Sequence, residues 1–118
     1  MDSLDGILSQ ILAFRDERDW VRFHTPKNLA ASMAVETAEL QETMLWKSDS
    51  EVSDFIATAQ GKTEVAEEIA DVLIAALLLC ITTGIEPITA IQDKLKKNAT
   101  KYPSDLVKGK AFQHPQTK

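Results

Sequence analysis

Apolar residues recur along this chain of 118 residues at intervals of three and four positions, which is the spacing of one face of an α-helix. The pattern occurs four times, and the segments between its occurrences contain proline, glycine or clustered polar residues. No alternating pattern of the kind that predicts a β-strand competes with it. We therefore predict an all-α fold in which four main helices form a bundle.

Capping signals place the ends of these helices. Ser3 can cap the first helix, and Asn28 can cap a second helix that continues to about Trp46. The third helix is expected to begin near Thr63 and to end near Gly84. These signals divide the chain into helices of ordinary globular length.

The remaining boundaries come from prolines and from a polar connection. Residues 47–62 are expected to connect the second and third helices and to contain a short helix around residues 51–59. Pro87 suits the first turn of the fourth helix, which should reach about Lys101 before Pro103 stops it. The predicted organisation is one helical domain over residues 1–103 and a surface tail over residues 104–118.

Composition and charge exclude several classes of protein. Eighteen acidic against thirteen basic residues give a net charge of -5, which argues against nucleic acid as a partner. Cys80 is the only cysteine, so a disulfide framework is excluded and a reducing compartment is favoured. The N-terminus lacks the pattern of a secretory signal, and the apolar stretch 69–81 is shorter than the about 20 residues of a membrane span. We predict a cytoplasmic protein that binds no membrane.

Four acidic residues occupy positions where an ordinary surface helix has apolar ones. Glu36 falls within the apolar stripe of the second helix, and Glu39 follows one turn later at its edge. Glu68 and Asp71 share one side of the third helix, which continues with apolar residues such as Ile74. No lysine or arginine lies three or four positions from any of the four acids. Their neutralising partner must therefore come from elsewhere.

A divalent cation is the partner that the residue types favour. If the two helices pack with these faces together, the carboxylates repel one another, and a cation removes the repulsion. Oxygen ligands without cysteine or histidine suit magnesium, with manganese as the alternative, better than zinc. Protonation of one or two of the acids is the competing solution. A di-iron bundle is disfavoured because neither His24 nor His114 stands three residues after a glutamate.

Other motifs add the elements of a nucleotide site. Lys94, Asn98 and Lys101 are spaced to lie on one face of the fourth helix, where they could hold phosphates. Trp20 and Trp46 lie at junctions between helices and loops, where their rings could stack on a base, although packing in the core is the ordinary role of tryptophan.

The order and spacing of these motifs resemble the MazG-like all-α nucleoside triphosphate pyrophosphohydrolases. The resemblance rests on Glu36-Thr37-Ala38-Glu39, on Glu68-Ile69-Ala70-Asp71, and on Lys94 followed by Asn98-Ala99-Thr100-Lys101-Tyr102-Pro103. The dCTP pyrophosphatase branch is the most similar, because further short segments of the chain also match it. These segments are Arg15-Asp16-Glu17-Arg18-Asp19-Trp20, Phe23-His24, Pro26-Lys27-Asn28-Leu29 and Trp46-Lys47.

This resemblance implies an activity, a metal and an assembly. The activity is Mg²⁺-dependent cleavage between the α- and β-phosphates of a nucleoside triphosphate, with dCTP or a modified dCTP as the expected substrate, in nucleotide-pool house-cleaning. The assembly is a homo-oligomer built as a dimer of dimers. A related hydrolase for another nucleotide such as dUTP, and a non-catalytic helical module that binds a metal or a partner protein, remain alternatives.

It also implies a role for each matching residue. The four acids bind the metal and form the catalytic set, and the position of Glu39 at its stripe's edge favours it as the proton acceptor. The residues expected to bind phosphate are Lys94, Asn98, Lys101 and Tyr102. The residues expected to form the base pocket are Trp20, His24, Trp46, Asn28 and Phe23.

Overall fold

The computed structural model describes residues 3–110, and every regular element within that range is a helix. This confirms the predicted all-α class, although the described chain has six α-helices where four main helices were expected. A short 3₁₀ turn, Val21–Phe23, follows the first of them. The α-helices are α1 (Leu4–Glu17), α2 (Pro26–Glu42), α3 (Asp49–Ala57), α4 (Ala59–Thr83), α5 (Pro87–Lys101) and α6 (Ser104–Val107).

Several predicted helix ends are confirmed. The hydroxyl of Ser3 accepts a hydrogen bond from the Gly6 N–H at 3.0 Å and caps α1. Gly84 ends α4 with φ 73°, a left-handed conformation that glycine adopts without a steric penalty. Pro87 occupies the first turn of α5, which ends at Lys101 as expected.

The predicted bounds of α2 were wrong at both ends. Thr25, and not Asn28, is the N-cap, because the Thr25 hydroxyl accepts the Asn28 N–H at 3.1 Å and Pro26 fits the first turn. The helix ends at Glu42, since the following residues form a turn in which Trp46 has φ 69°. A helix interior cannot contain that left-handed conformation.

The connection between α2 and α4 is more regular than the sequence predicted. The short helix expected there is α3, which begins in a capping box formed by Ser48 and Glu51. The hydroxyl of Thr58 then caps α4, so that this helix begins at Ala59 and not near Thr63. Gly61 is required at this junction because a Cβ atom would overlap the carbonyl oxygen of Phe55.

The described part of the chain forms two compact units, which divide after Gly84. In the first unit, α2 packs along α4, and α1 and α3 also contact α4. The second unit contains α5 and α6, and α6 lies in the segment that the sequence assigned to a surface tail. The part of that predicted tail beyond residue 110 lies outside the described residues.

Few apolar side chains of the first unit are fully enclosed. The buried apolar residues are Leu29, Val65, Ala75 and Leu78, which come from α2 and α4. Ile69 and Leu73 of α4 remain 42% and 56% exposed. The interface between α2 and α4 is therefore the centre of this unit, and a second face of α4 presents apolar side chains at the surface. Within the described range, no single helix has the length and apolar character that spanning a membrane requires.

Candidate metal and nucleotide site

The four acids that stood out in the sequence meet in one cluster in the first unit. Glu36 and Glu39 project from α2, and Glu68 and Asp71 project from α4. One carboxylate oxygen from each lies within 4.8 Å of the others. The structure therefore brings together all four of the predicted metal ligands, which we call the acid cluster.

The register of α2 against α4 produces this cluster. Within each helix the two acids are three residues apart and so share a face. Glu36 lies within hydrogen-bonding reach of Asp71, and Glu39 within reach of Glu68. Residue numbers rise along α2 while those of the partners fall along α4, so the two helices run antiparallel. Each acid thus has a counterpart from the other helix.

Burial differs among the four acids. Glu36 and Glu68 are half-buried, whereas Glu39 and Asp71 are exposed. Asp71 is therefore exposed, although its position on a side of the helix that continues with apolar residues predicted that it points inward. The apolar residues that follow it along α4 are themselves partly at the surface, because Ile74 is 41% exposed. The cluster has an inner pair and an outer pair of carboxylates.

The crowding of negative charge in the cluster affects the pKa values of the two inner carboxylates, Glu36 and Glu68. Burial raises the pKa of Glu36, and the neighbouring charges of Glu39, Asp71 and Glu68 raise it further. Burial and the charges of Glu39, Asp71 and Glu67 raise the pKa of Glu68 in the same way. The surroundings of Glu36 and Glu68 therefore disfavour the charged form of each carboxylate.

The cluster has the properties of a divalent cation site. Among residues 3–110 the ion pairs join arginines to acids of α1 and the following loop, and none of them reaches the cluster. The Oε2 atoms of Glu36 and Glu68 are buried and have no hydrogen-bond partner. Unpaired buried carboxylate oxygens are costly, and a hard cation with oxygen ligands satisfies them. The residues present thus fit a divalent metal ion.

Two cavities of about 350 Å³ each adjoin the cluster within the first unit. Both are lined by His24, Asp71, Ile74 and Leu78. The first, here called the α2 cavity, is also lined by Phe23, Asn28, Leu29, Ser32, Glu36 and Ala75. The second, here called the α1 cavity, is also lined by Gln10, Ile11, Phe14, Arg15 and Trp20.

The end of α1 positions the aromatic wall of the α1 cavity. Asp19 has φ 54°, and this left-handed residue turns the chain so that the Trp20 N–H donates to the Arg15 carbonyl at 3.2 Å. The Trp20 ring then meets Phe14 edge to face at 5.8 Å and lies 6.5 Å from the ring of His24. The Nδ1 atom of His24 is buried without a hydrogen-bond partner. Trp20 and His24 are thus brought together, as the sequence predicted.

Phe23 and Asn28 also reach the predicted location. Both line the α2 cavity, and the Asn28 side-chain amide donates to the Phe23 carbonyl at 3.1 Å. This hydrogen bond fixes the 3₁₀ turn against the first turn of α2. The amide therefore has a structural contact in addition to its position at the cavity.

Trp46 is the predicted base-pocket residue that the structure does not bring to the others. Its side chain is 92% exposed, and it lines neither of the two cavities. Trp46 lies in the turn after α2, where its φ is 69°, and not on the helix that the sequence predicted to reach it. Within one chain, Trp20 and Trp46 do not form a common pocket.

The predicted phosphate-binding residues lie in the second unit. α5 is continuous from Pro87 to Lys101. Lys94, Asn98 and Lys101 therefore lie on one face of this helix, as their spacing predicted. Both lysines are exposed, and Asn98 is half-buried. Tyr102 is the C-cap of α5, and its N–H donates to the Asn98 carbonyl at 2.8 Å.

Sequence reasoning gave no individual role to three polar residues that line the cavities. Gln10 and Arg15 line the α1 cavity, and Ser32 lines the α2 cavity. A signal for Arg15 was present, since it follows Ile11 by one helical turn and therefore lies on the same side of α1. The prediction of α1 used only the apolar residues of this helix and therefore assigned no role to Arg15.

Comparisons with known proteins define the class to which this site belongs. The model of the MazG-like family matches residues 31–111, which include the whole acid cluster, and the chain belongs to this family. The chain is 34% identical to rat dCTP pyrophosphatase 1 over 112 residues, or 95% of the chain and 66% of that protein. It is 31% identical to the human dCTP pyrophosphatase 1 over 106 residues, which are 90% of the chain and 62% of that protein.

A solved structure supports the fold. The crystal structure of a pyrophosphatase from Archaeoglobus fulgidus is similar to this one with a TM-score of 0.79 and 46% sequence identity. The match covers 85% of this chain and 92% of that one. The chain spans just under two thirds of the length of the mammalian relatives and nearly the whole of the archaeal chain.

Proposed function

We propose that this protein is a Mg²⁺-dependent nucleoside triphosphate pyrophosphohydrolase. It cleaves the bond between the α- and β-phosphates of dCTP or a modified dCTP, giving the monophosphate and pyrophosphate. The observation that carries the proposal is the acid cluster at the junction of two cavities. The relatives named dCTP pyrophosphatase 1 support the substrate, and the archaeal neighbour, described as a pyrophosphatase, supports cleavage of a bond between phosphates. We also propose a cytoplasmic location, since a single cysteine suits a reducing compartment.

The acid cluster would hold the metal through Glu36, Glu39, Glu68 and Asp71. A magnesium ion held by these residues would neutralise triphosphate charge, orient the phosphate oxygens and make a water more acidic. Because the pKa values of Glu36 and Glu68 are raised, protons compete with the metal for these two ligands. Glu39 is exposed at the edge of the cluster, where its carboxylate can accept a proton from the water that attacks phosphorus.

The other residues would position the substrate. Trp20 and His24 offer ring faces beside the acid cluster, and Phe23 and Asn28 line the adjoining α2 cavity. This combination of apolar walls with a few polar groups is typical of a pocket for a planar base. For the phosphates, we propose the face of α5 that carries the exposed Lys94 and Lys101 and the half-buried Asn98, with Tyr102 at its end.

A panel of triphosphates tests this function directly. With Mg²⁺, we expect conversion of dCTP to dCMP and pyrophosphate, with slower turnover of dUTP, dTTP and the purine nucleotides. Products are separated by anion-exchange chromatography, and pyrophosphate is measured by a coupled assay with and without added inorganic pyrophosphatase. Orthophosphate as the primary product would contradict the bond position. Preference for dUTP would support the related-hydrolase alternative, and no turnover of any nucleotide would favour a non-catalytic module.

We further propose that the protein is a homo-oligomer, assembled as a dimer of dimers. The exposed apolar side chains of Ile69 and Leu73 on α4 and the exposed Trp46 support this assembly, since such groups usually mark an interface. In an oligomer, Trp46 could join the base pocket of a neighbouring chain.

Light scattering coupled to size exclusion tests the assembly. We expect a dimer or tetramer at micromolar concentration and a smaller species for Leu73→Glu, because a charge at an apolar interface is heavily penalised. Lys62→Glu, an exposed change on the same helix, serves as the control and should keep the assembly. A wild-type protein that stays monomeric across the concentration range would contradict the proposal.

A further inference from the structure

Arg15 places a cationic side chain at the wall of the α1 cavity. It is the only lysine or arginine among the residues that line this cavity or the α2 cavity. Only 16% of its side chain is exposed, although arginine on a helix surface is usually well solvated. Its stem therefore packs among the cavity residues, and the position of its charge is constrained.

Asp16 fixes the guanidinium of Arg15 from one side. A single oxygen, Asp16 Oδ1, accepts from Nε at 2.9 Å and lies 2.9 Å from Nη2. Asp16 is 56% exposed, and its contact with two nitrogen atoms of Arg15 orients the guanidinium plane more firmly than one hydrogen bond would. A guanidinium has five N–H groups. After the contact with Asp16, the end formed by Nη1 and Nη2 keeps three of them.

The surroundings indicate which part of a substrate this group would meet. Apolar side chains form most of the cavity wall, and Trp20 supplies a ring face, so the cavity suits a planar base. The cavity also includes Asp71, which belongs to the acid cluster where the metal and the triphosphate would be held. Both cavities include Asp71, but the α1 cavity has the more apolar wall and the ring of Trp20. A substrate with its phosphates at the cluster would therefore extend its base into the α1 cavity, which contains Arg15.

We propose that Arg15 is a specificity-determining residue that reads the acceptor edge of a cytosine base, and that Asp16 is its positioning residue. This inference rests on the proposed function. Cytosine presents two neighbouring acceptors, O2 and N3, which match the paired N–H groups of a guanidinium. Uracil and thymine carry a hydrogen at N3, so the same guanidinium would face a donor. Arg15 thus selects cytosine by a favourable contact and rejects uracil by an unfavourable one.

A comparison of substrate analogues isolates this contact. The assay measures kcat/KM for dCTP and for 3-deaza-dCTP, in which a C–H group replaces N3, with the wild type and with Arg15→Met and Arg15→Lys. We expect the wild type to prefer dCTP by about 10- to 100-fold, the range for a bidentate contact to a base. Arg15→Met should lose about that factor on dCTP and little on 3-deaza-dCTP. Arg15→Lys should show the same loss of preference, because it keeps the charge but not the planar pair of donors.

Two further variants separate positioning from folding. Asp16→Ala should reduce the preference for dCTP by a smaller factor, since the guanidinium remains but is no longer held. Arg22→Met removes an arginine that is 69% exposed and paired with Asp19, and it should leave the preference unchanged. Unfolding midpoints of all variants show whether each protein is folded at the assay temperature.

The possible outcomes distinguish this inference from the proposed function. Equal losses on both analogues would overturn it in favour of a phosphate contact, and unchanged kinetics in both Arg15 variants would overturn it in favour of a structural arginine. In either case the wild type would still hydrolyse dCTP, and the proposed function would stand. A wild type that hydrolyses no triphosphate would overturn both.

Discussion

Replacement of Glu68 by glutamine should lower the Mg²⁺-dependent rate by at least about 100-fold, because loss of even an outer partner of a metal site commonly costs 10- to 100-fold. Glutamine has nearly the same size as glutamate, and the substitution keeps an oxygen near the same place. It removes the negative charge through which the half-buried Glu68 would bind a cation. The rate is measured with saturating dCTP across a range of Mg²⁺ concentrations, so that weakened metal binding and slower turnover can be separated.

The same substitution should leave the metal-free protein at least as stable as the wild type. Neighbouring carboxylates and burial oppose the charge of Glu68, and a neutral amide is not subject to that repulsion. Glu64→Gln is the matched control, since Glu64 is exposed one turn earlier on α4 and lies outside the cluster. It should change neither the rate nor the unfolding midpoint appreciably. A Glu68→Gln protein with normal turnover would contradict the metal site.

The acid cluster could be predicted from the sequence because it depends mainly on helical phase. Residues three apart on a helix share a face whatever the rest of the fold does, so Glu36 with Glu39 and Glu68 with Asp71 were paired correctly. Burial could not be predicted in the same way. It depends on which neighbours cover each side chain, and for this reason Asp71 is exposed although apolar residues follow it.

The base pocket shows where single-chain sequence reasoning reaches its limit. Trp20 and His24 are separated by a short 3₁₀ turn, so their proximity follows from local structure. Trp46 is separated from both by the whole of α2. It lies in a turn where its own backbone is left-handed, and because this turn contains no glycine, the sequence does not predict that conformation. The start of α2 illustrates a related point, because Thr25 and Asn28 are both good caps and Pro26 decides between them.

Opposite pH effects on stability are expected from two groups of carboxylates. In the capping residues Glu51 and Glu86, hydrogen bonds from backbone N–H groups lower the pKa. Their contribution to stability is present above the ordinary value of 4.5 and is lost as the pH falls through the lowered pKa. This group makes the protein less stable in acid, and it acts in the presence and absence of a metal.

The inner acids of the cluster should have the reverse effect in the metal-free protein. Because the pKa values of Glu36 and Glu68 are raised, the folded state keeps protons that the unfolded state releases as the pH rises above 4.5. The unfolded state then binds fewer protons, so stability falls with rising pH until both groups are ionised in the folded state. Unfolding midpoints in a chelator are measured from pH 4.5 to pH 8 for the wild type and for a Glu36→Gln/Glu68→Gln double variant. The double variant retains Glu51 and Glu86, so the difference between the two curves isolates the cluster.

Magnesium should reverse this trend, because the cation competes with protons for the same carboxylates. We expect the Mg²⁺-induced rise in the wild-type midpoint to be small near pH 4.5 and to grow as the pH rises through the raised pKa values. Calcium offers a comparison with another oxygen-binding cation, and equal concentrations of Na⁺ at matched ionic strength control for screening. The double variant should show little rise at any pH. A Mg²⁺ effect of equal size in both proteins would mean that the cation binds elsewhere, and a wild-type effect independent of pH would mean that Glu36 and Glu68 need not lose protons to bind it.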